Sequence, residues 1–173
     1  MADIRIYGDP ILRKKAEPVN EFDGLLKDFT EQMKNDMYAS NGVGLAAPQV
    51  GRSIRLVVVD ATGGEQEPYV VINPEITYLS EQQSDYDEGC LSIPDITLTI
   101  TRPAIVSVRA QDEEGNEYTI EKADGLLARA LQHEIDHLDG ILFVDRASPV
   151  RRQLISGKLK KLAKSQRNAS KTA

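Results

Sequence analysis

The segment ADGLLARALQHEIDHLDG constrains the fold more strongly than any other part of the chain. The residues before it carry the apolar patterns of strands, whereas this segment repeats its apolar residues with the period of a helix. Its apolar stripe, at i, i+4, i+8 and i+11, consists of Leu127, Leu131, Ile135 and Leu138. Asp124 stands at the expected N-cap and Gly140 at the expected C′ position, so we predict a buried helix between them.

The rest of the chain predicts one helix before a block of strands and one helix after the HEIDH segment. Helical spacing from Glu21 to about Ala39 indicates the first helix, with Asn20 or Asp23 as its cap. Strands are predicted in IRLVVVD, YVVINP, ITLTITRPAIVSVRAQD and the end of EEGNEYTI. A basic amphipathic helix follows at about 149–164, with the apolar residues Leu154, Ile155, Leu159 and Leu162.

This order of elements predicts an α+β fold. We expect mixed or antiparallel β-sheets packed around the helix that carries HEIDH, with an N-terminal and a C-terminal helix, because helices and strands do not alternate as βαβ units. A chain of 173 residues fits one domain, which we place at residues 1–164, followed by a polar basic tail at 165–173 that we expect to fray.

Composition and charge exclude several classes of protein. The formal charge of −6 argues against general DNA or RNA binding, and no apolar run approaches the ~20 residues that span a bilayer. The start of the chain lacks the apolar region of a secretory signal. A single cysteine forms no internal disulfide, so we expect a cytoplasmic protein without a membrane partner.

His133 and His137 are the only two histidines of the chain, and a helix places them on one face, one turn apart. With Glu134 between them they form the H-E-x-x-H pattern, in which two imidazoles bind a metal and the glutamate acts as a general base. A third ligand is missing. Of the carboxylates that follow, Asp136 is either a partner of the site or a helix-surface residue, Asp139 points away from the histidine face, and Asp145 stays open as a candidate.

Cys90, in DEGCLSIP, is the other candidate for the third ligand. Free cysteine often serves as a small, inert core residue, which is the alternative interpretation. Gly89 allows a close backbone approach at this point, and Asp87 and Glu88 supply carboxylates that could orient a metal ligand.

Three motifs, GVGLAAPQ (42–49), EGCLS (88–92) and HEIDH (133–137), together closely resemble the signature motifs of peptide deformylases, in the same order. The resemblance covers most of the chain and is closest to the bacterial type with a C-terminal helix. It implies a metallohydrolase that removes the N-formyl group from the formyl-methionine of new polypeptides and releases formate.

The resemblance also implies the roles of individual residues. Cys90, His133 and His137 would bind one Fe²⁺, for which Zn²⁺, Ni²⁺ or Co²⁺ can substitute, and water on the metal would attack the formyl carbonyl. Glu134 would act as general base and then acid. The Gln49 side chain and the Leu91 N–H would stabilise the oxyanion.

For the substrate, the resemblance implies a methionine pocket formed by Val43, Leu126, Ala130 and the His133 ring. Gly44 would pair with the peptide backbone, and Gly89 would lie beside it. Tyr86 and Arg129 depart from the aliphatic residues common at these positions. Either both residues lie at the rim and alter little, or they make the pocket mouth more polar and contact the second or third substrate residue.

From Arg151 onward all charged residues are basic: Arg151, Arg152, Lys158, Lys160, Lys161, Lys164, Arg167 and Lys171. They indicate either a solvated helix face or, as the resemblance suggests, a contact with the ribosome near the emerging nascent chain. Two other functions compete with the deformylase. One is an H-E-x-x-H zinc endoprotease with Asp145 as the third ligand, and the other is a metal module without catalysis.

Overall fold

The computed structural model describes residues 3–172, with side chains described through residue 168. In chain order the strands and α-helices are α1 (Gly24–Ala39), β1 (Gly44–Ala46), β2 (Leu56–Val59), β3 (Tyr69–Leu79), β4 (Gln83–Cys90), β5 (Ile93–Pro103), β6 (Val106–Gln111), β7 (Glu117–Ala123), α2 (Gly125–Leu138) and α3 (Pro149–Thr172). Short 3₁₀ turns cover Pro10–Arg13, Ala47–Val50 and Phe143–Arg146. The predicted α+β class is confirmed.

The strands form two separate antiparallel sheets. Five strands pair in the order β1-β2-β3-β6-β7, and β4 pairs with β5 as a hairpin of its own. The helix α2 packs against the five-stranded sheet, and residues of the hairpin, the last 3₁₀ turn and α3 share another core cluster. Arg129 of α2 also donates to the Ser84 and Ile100 carbonyls of the hairpin, so α2 lies between the two sheets, as the central helix of the prediction requires.

The strand β2 is buried on both faces, as its unbroken apolar run predicts. Val57 and Val59 belong to the core shared with α2, whereas Leu56 and Val58 belong to the core shared with α1. Successive side chains of a strand point to opposite faces, so one four-residue strand anchors two helices on either side of the sheet.

The ends of α1 and α2 follow from local chemistry. Asp23 caps α1 by accepting a hydrogen bond from the Leu26 N–H at 2.9 Å. Asp124 occupies the N-cap position of α2, although its side chain makes no capping hydrogen bond. Gly140 follows the C-cap of α2 with φ +73°, a conformation that disfavours side chains, and thus ends the helix as predicted.

The C-terminal helix α3 packs through one stripe of its apolar residues. Ile155 and Leu159 are buried in the core shared with the β4–β5 hairpin, whereas Leu154 is 78% exposed. The helix continues past the predicted end near residue 164 to Thr172. Residue 173 lies outside the described residues. None of the described helices combines the length and apolar character that crossing a membrane requires.

Candidate metal centre

Three metal-ligating side chains meet where α2 faces the end of β4. Cys90 is the last residue of β4, while His133 and His137 lie one helical turn apart on α2. One ligand atom of each residue lies within 4.8 Å of the others, and the Cys90 Sγ is 3.4 Å from the His137 Nε2. Within the residues that the structure describes, this is the single group of three or more such side chains.

Hydrogen bonding leaves these side chains suited to a cation. The Glu88 Oε1 lies 3.5 Å from the His133 Nδ1, so the opposite nitrogen of this ring remains for a metal. The Glu134 Oε2 and the His137 Nδ1 are buried without a hydrogen-bond partner among the described residues. A thiol and two imidazoles are a typical ligand set for a transition metal, and the unpaired carboxylate oxygen of Glu134 lies beside them.

The two imidazoles of the cluster differ in their affinity for a proton. Burial lowers the pKa of His133, but hydrogen bonds with Cys90 and Glu88 outweigh burial and hold the pKa well above its ordinary value. Burial and the neighbouring positive charge of His133 hold the pKa of His137 well below its ordinary value. A metal that binds both imidazoles must therefore displace the proton that His133 holds, because histidine binds a metal as the neutral ring.

Glu134 is held beside the cluster by a close contact with the glycine-rich segment. A Cβ at Gly44 would lie 2.7 Å from the Glu134 Cγ and Oε1, so only glycine leaves this carboxylate its place. Burial raises the pKa of Glu134 to about 7. Such a pKa suits a group that takes up and releases protons near neutral pH.

Gln49 is held at both ends of its side-chain amide. Its Oε1 accepts from the Ala46 N–H at 2.9 Å, and its Nε2 donates to the Ser92 Oγ at 3.1 Å. The same Nε2 lies 3.5 Å from the Cys90 Sγ, which aims the amide N–H at the ligand cluster. Sequence reasoning missed Ser92, which is fully buried two residues after Cys90.

A cavity of about 470 Å³ opens beside the cluster between α2, the β4–β5 hairpin and the segment around β1. Of the twelve predicted site residues, the following line it: Val43, Gly44, Gln49, Gly89, Cys90, Leu91, Leu126, Arg129, Ala130, His133 and Glu134. His137 lies behind the cavity wall, against Cys90.

The two unusual residues of the cavity differ in role. Tyr86 lines the cavity and is 49% exposed, and its contact with substrate stays a prediction. Arg129 is buried, and its guanidinium donates to the Ile100 carbonyl at 3.1 Å and the Ser84 carbonyl at 2.8 Å. Its groups thus join α2 to both strands of the hairpin, and its predicted contact with the second or third substrate residue stays a prediction.

Asp145, the alternative third ligand, is engaged away from the histidines. It forms ion pairs with Arg13 and Arg152 and accepts from the Leu142 N–H at 2.9 Å. Ion pairs and a hydrogen bond at this turn therefore engage the Asp145 carboxylate, and the ligand cluster does not include this residue.

Asp136 and Arg102 are buried beside the cluster. The Arg102 Nη1 donates to the Asp136 Oδ2 at 2.7 Å, and its Nε donates to the Glu88 Oε1 at 2.9 Å. The sequence left Asp136 open as either a partner of the site or a surface residue, and sequence reasoning missed Arg102. A charged residue inside the apolar run ITLTITRPAIVSV is the signal that could have marked it.

Comparison with known proteins finds relatives that match nearly the whole chain. The family model described as polypeptide deformylase matches residues 1–153. A peptide deformylase of Brucella suis is 46% identical over 168 residues, covering 96% of this chain and 95% of that protein. One from Thermodesulfovibrio yellowstonii is 51% identical over 160 residues, covering 91% and 96%.

Solved structures of similar proteins also match nearly the whole chain. Arabidopsis thaliana peptide deformylase 1B, in complex with an inhibitor, matches with a TM-score of 0.93 and 39% identity, covering 98% of this chain and 93% of that one. A peptide deformylase from Legionella pneumophila matches with a TM-score of 0.87 and 43% identity, covering 96% and 97%.

Proposed function

The chain belongs to the peptide deformylase family, hydrolases that remove the formyl group from nascent peptides, and on that premise we propose how its residues carry out this reaction. We propose that Cys90, His133 and His137 bind one Fe²⁺ ion, for which Zn²⁺, Ni²⁺ or Co²⁺ can substitute. The observation that carries this proposal is the meeting of the three ligand atoms within 4.8 Å, beside Glu134 and at the wall of a cavity.

A divalent cation held by these ligands would supply Lewis acidity, which makes water a stronger acid and a formyl carbonyl a better electrophile. Three protein ligands leave a coordination position open for this chemistry. Cys90 adds a thiolate ligand from β4, so oxidation can damage the site through either the metal or the sulfur. The native metal is therefore best measured on protein purified without oxygen.

Glu134 acts as general base and then general acid. Its carboxylate takes a proton from the attacking water and delivers it to the amine that leaves. The raised pKa of about 7 supports both steps, because the group exchanges protons readily at neutral pH. Its unpaired Oε2 is available for this exchange.

Gln49 and Leu91 stabilise the negative charge that develops on the formyl oxygen. The Gln49 amide is fixed by Ala46 and Ser92, so it needs no reorganisation during the reaction. Leu91 lies in the two-residue turn between β4 and β5, where its N–H is placed by the pairing of Cys90 with Ile93. Each such donor contributes about 3 kcal/mol to stabilisation of the transition state.

The methionine side chain of the substrate occupies the cavity lined by Val43, Leu126 and Ala130, with the His133 ring at its inner end. The peptide backbone runs along Gly44 and Gly89, which present no side chain to obstruct it. Formyl is the smallest acyl group, so a close wall at the cluster rejects an acetyl group by its extra methyl alone.

The decisive experiment is purification without oxygen, metal analysis, and assay on formyl-Met-Ala-Ser and acetyl-Met-Ala-Ser. We expect about one iron per chain and release of formate from the first peptide, with no hydrolysis of the second. An iron-loaded protein that releases no formate would refute the proposal.

Two variants separate the proposed roles. Glu134→Ala should abolish turnover while the fold and the bound metal remain, because the carboxylate is no ligand. Cys90→Ser should lower both metal content and activity, since a hydroxyl is a poor replacement for a thiolate. Metal content unchanged in Cys90→Ser would point to another third ligand.

We further propose that the protein works in the cytoplasm and that the basic face of α3 contacts the ribosome. Lys158, Lys160, Lys161 and Lys164 are all exposed along this helix, which suits phosphate groups of RNA. Lys171, also assigned to this face, has its side chain outside the described residues.

Replacing these four exposed lysines with glutamine tests the ribosome contact without removing the buried Ile155 and Leu159. We expect ribosome binding at low salt to weaken while formate release from a free peptide is unchanged. Equal binding by the variant and the original protein would refute the contact.

A further inference from the structure

A chain of buried charges runs from the protein surface to a proposed metal ligand. The Arg146 Nη2 and Nε donate to the two oxygens of Asp136 at 2.7 and 2.8 Å. Asp136 accepts also from Arg102 at 2.7 Å, and Arg102 donates onward to Glu88 at 2.9 Å. Glu88 in turn lies 3.5 Å from the His133 Nδ1.

Positive and negative charges alternate along this chain of charges, in the order Arg146, Asp136, Arg102 and Glu88. Only the Arg146 side chain is substantially exposed, whereas the Arg102 and Glu88 side chains are each 3% exposed. Buried charges are tolerated when they are paired and hydrogen bonded. Each member therefore depends on its neighbours for its position.

Arg102 is the member that joins two elements to the site. It lies on β5 and binds Glu88 of β4 through Nε and Asp136 of α2 through Nη1. Without Asp136, nothing among these bonds would hold the Nη1 end of the guanidinium, and Glu88 would lose its fixed direction toward His133. A carboxylate that orients a metal-ligating histidine commonly contributes about 10–100-fold to metal affinity or activity.

We propose that Asp136 and Arg102 are positioning residues of the metal site, which act through Glu88 on the orientation of the His133 ring. The inference deepens the proposed function and rests on it, since it takes His133 as a metal ligand. It assigns a role to Asp136, which acts on the site only through other side chains.

The test measures release of Co²⁺ from the loaded enzyme to a competing chelator, together with the visible absorption of the bound Co²⁺. The variant is Asp136→Asn, which keeps the size of the side chain and removes its charge. Asp139→Asn is the matched control, because Asp139 also pairs with an arginine, Arg55, at 2.9 Å but outside this chain of charges.

We expect Asp136→Asn to release Co²⁺ at least about tenfold faster, with altered absorption bands and a lower kcat at unchanged KM. Asp139→Asn should stay within about twofold of the original protein on these measures. In a Glu88→Gln background, Asp136→Asn should add little, because both changes break one pathway. Arg102→Lys, which keeps the charge but cannot bridge both carboxylates, should also release Co²⁺ faster and serves if Asp136→Asn does not fold.

Release of Co²⁺ at the original rate by Asp136→Asn would overturn the inference, even if the melting temperature fell. Equal acceleration by Asp139→Asn, or full additivity with Glu88→Gln, would also overturn it. A failure of the proposed function looks different, because the unaltered protein would then bind no stoichiometric Co²⁺ and release no formate.

Discussion

Adding one methyl group at Gly44 should displace the proposed general base, and the structure sets the size of the effect. The Cβ of Gly44→Ala would lie 2.7 Å from the Glu134 Cγ and Oε1 and 2.9 Å from the Cδ. Non-bonded carbon atoms prefer about 3.5–4.0 Å, so the carboxylate must move by roughly 0.8–1.3 Å. Neither side yields easily, because Gly44 pairs with Val59 in the sheet and Glu134 is buried on α2.

A displacement of about 1 Å at a catalytic group can cost about 100-fold in rate, or about 2.7 kcal/mol. We therefore expect kcat/KM for formyl-Met-Ala-Ser to fall about 100-fold in Gly44→Ala, mainly through kcat. Gly42→Ala is the control from the same loop. Its Cβ would meet its nearest atoms at 3.3 to 3.6 Å, so a loss within about tenfold is expected there.

Shortening the base distinguishes this explanation from obstruction of the peptide. In a Glu134→Asp background, Gly44→Ala should cost much less than about 100-fold, because the shorter side chain avoids the added methyl group. A methyl group that only obstructed the peptide would raise KM, and Glu134→Asp would not relieve it. Activity of Gly44→Ala within about threefold of the original protein would refute the reasoning.

Three further predictions concern stability, measured by urea unfolding. Gly140→Ala should cost roughly 2–4 kcal/mol, because its Cβ would meet a backbone oxygen at 2.6 Å, whereas Gly125→Ala, with φ +52° and no close neighbour, should cost about 1 kcal/mol. Leu159→Ala should cost about 2–4 kcal/mol and the exposed Leu154→Ala less than about 0.5 kcal/mol. Burial raises the pKa of Asp60, but hydrogen bonds to its carboxylate outweigh burial and lower it to about 2. The ionised carboxylate therefore stabilises the fold fully above the pKa of Asp in the unfolded chain, about 3.9, and this contribution is lost as pH falls through about 2. The loss of stability caused by Asp60→Asn should therefore shrink over that pH interval. Equal costs within either pair, or a deficit independent of pH, would contradict these arguments.

The helices were predictable because their signals are local. The stripe on α2 and its terminal Gly140 lie within one segment, and both predictions are confirmed. The α1 helix begins at Gly24 rather than at Glu21, because Asp23 and not Asn20 provides the cap. Capping depends on a single hydrogen bond, so sequence spacing leaves a choice of a few residues.

The strand β4 was not predicted, although it carries Glu88 and Cys90 to the site. Its sequence, QSDYDEGC, lacks both an apolar run and apolar alternation, and most of its residues are exposed. Pairing with β5 specifies it instead, and that pairing depends on residues elsewhere in the chain. Polar hairpin strands of this kind escape any argument from hydrophobic period.

The location of the site explains why its ligands are distant in sequence. Cys90 packs against the core beneath the hairpin and α3, whereas α2 buries its apolar stripe in the core of the five-stranded sheet. Gln49 lies in the 3₁₀ turn whose Ala47 belongs to the third core, beneath α1. The site thus forms only where all three cores are packed, and a ligand that binds this assembled site stabilises the whole domain rather than one segment.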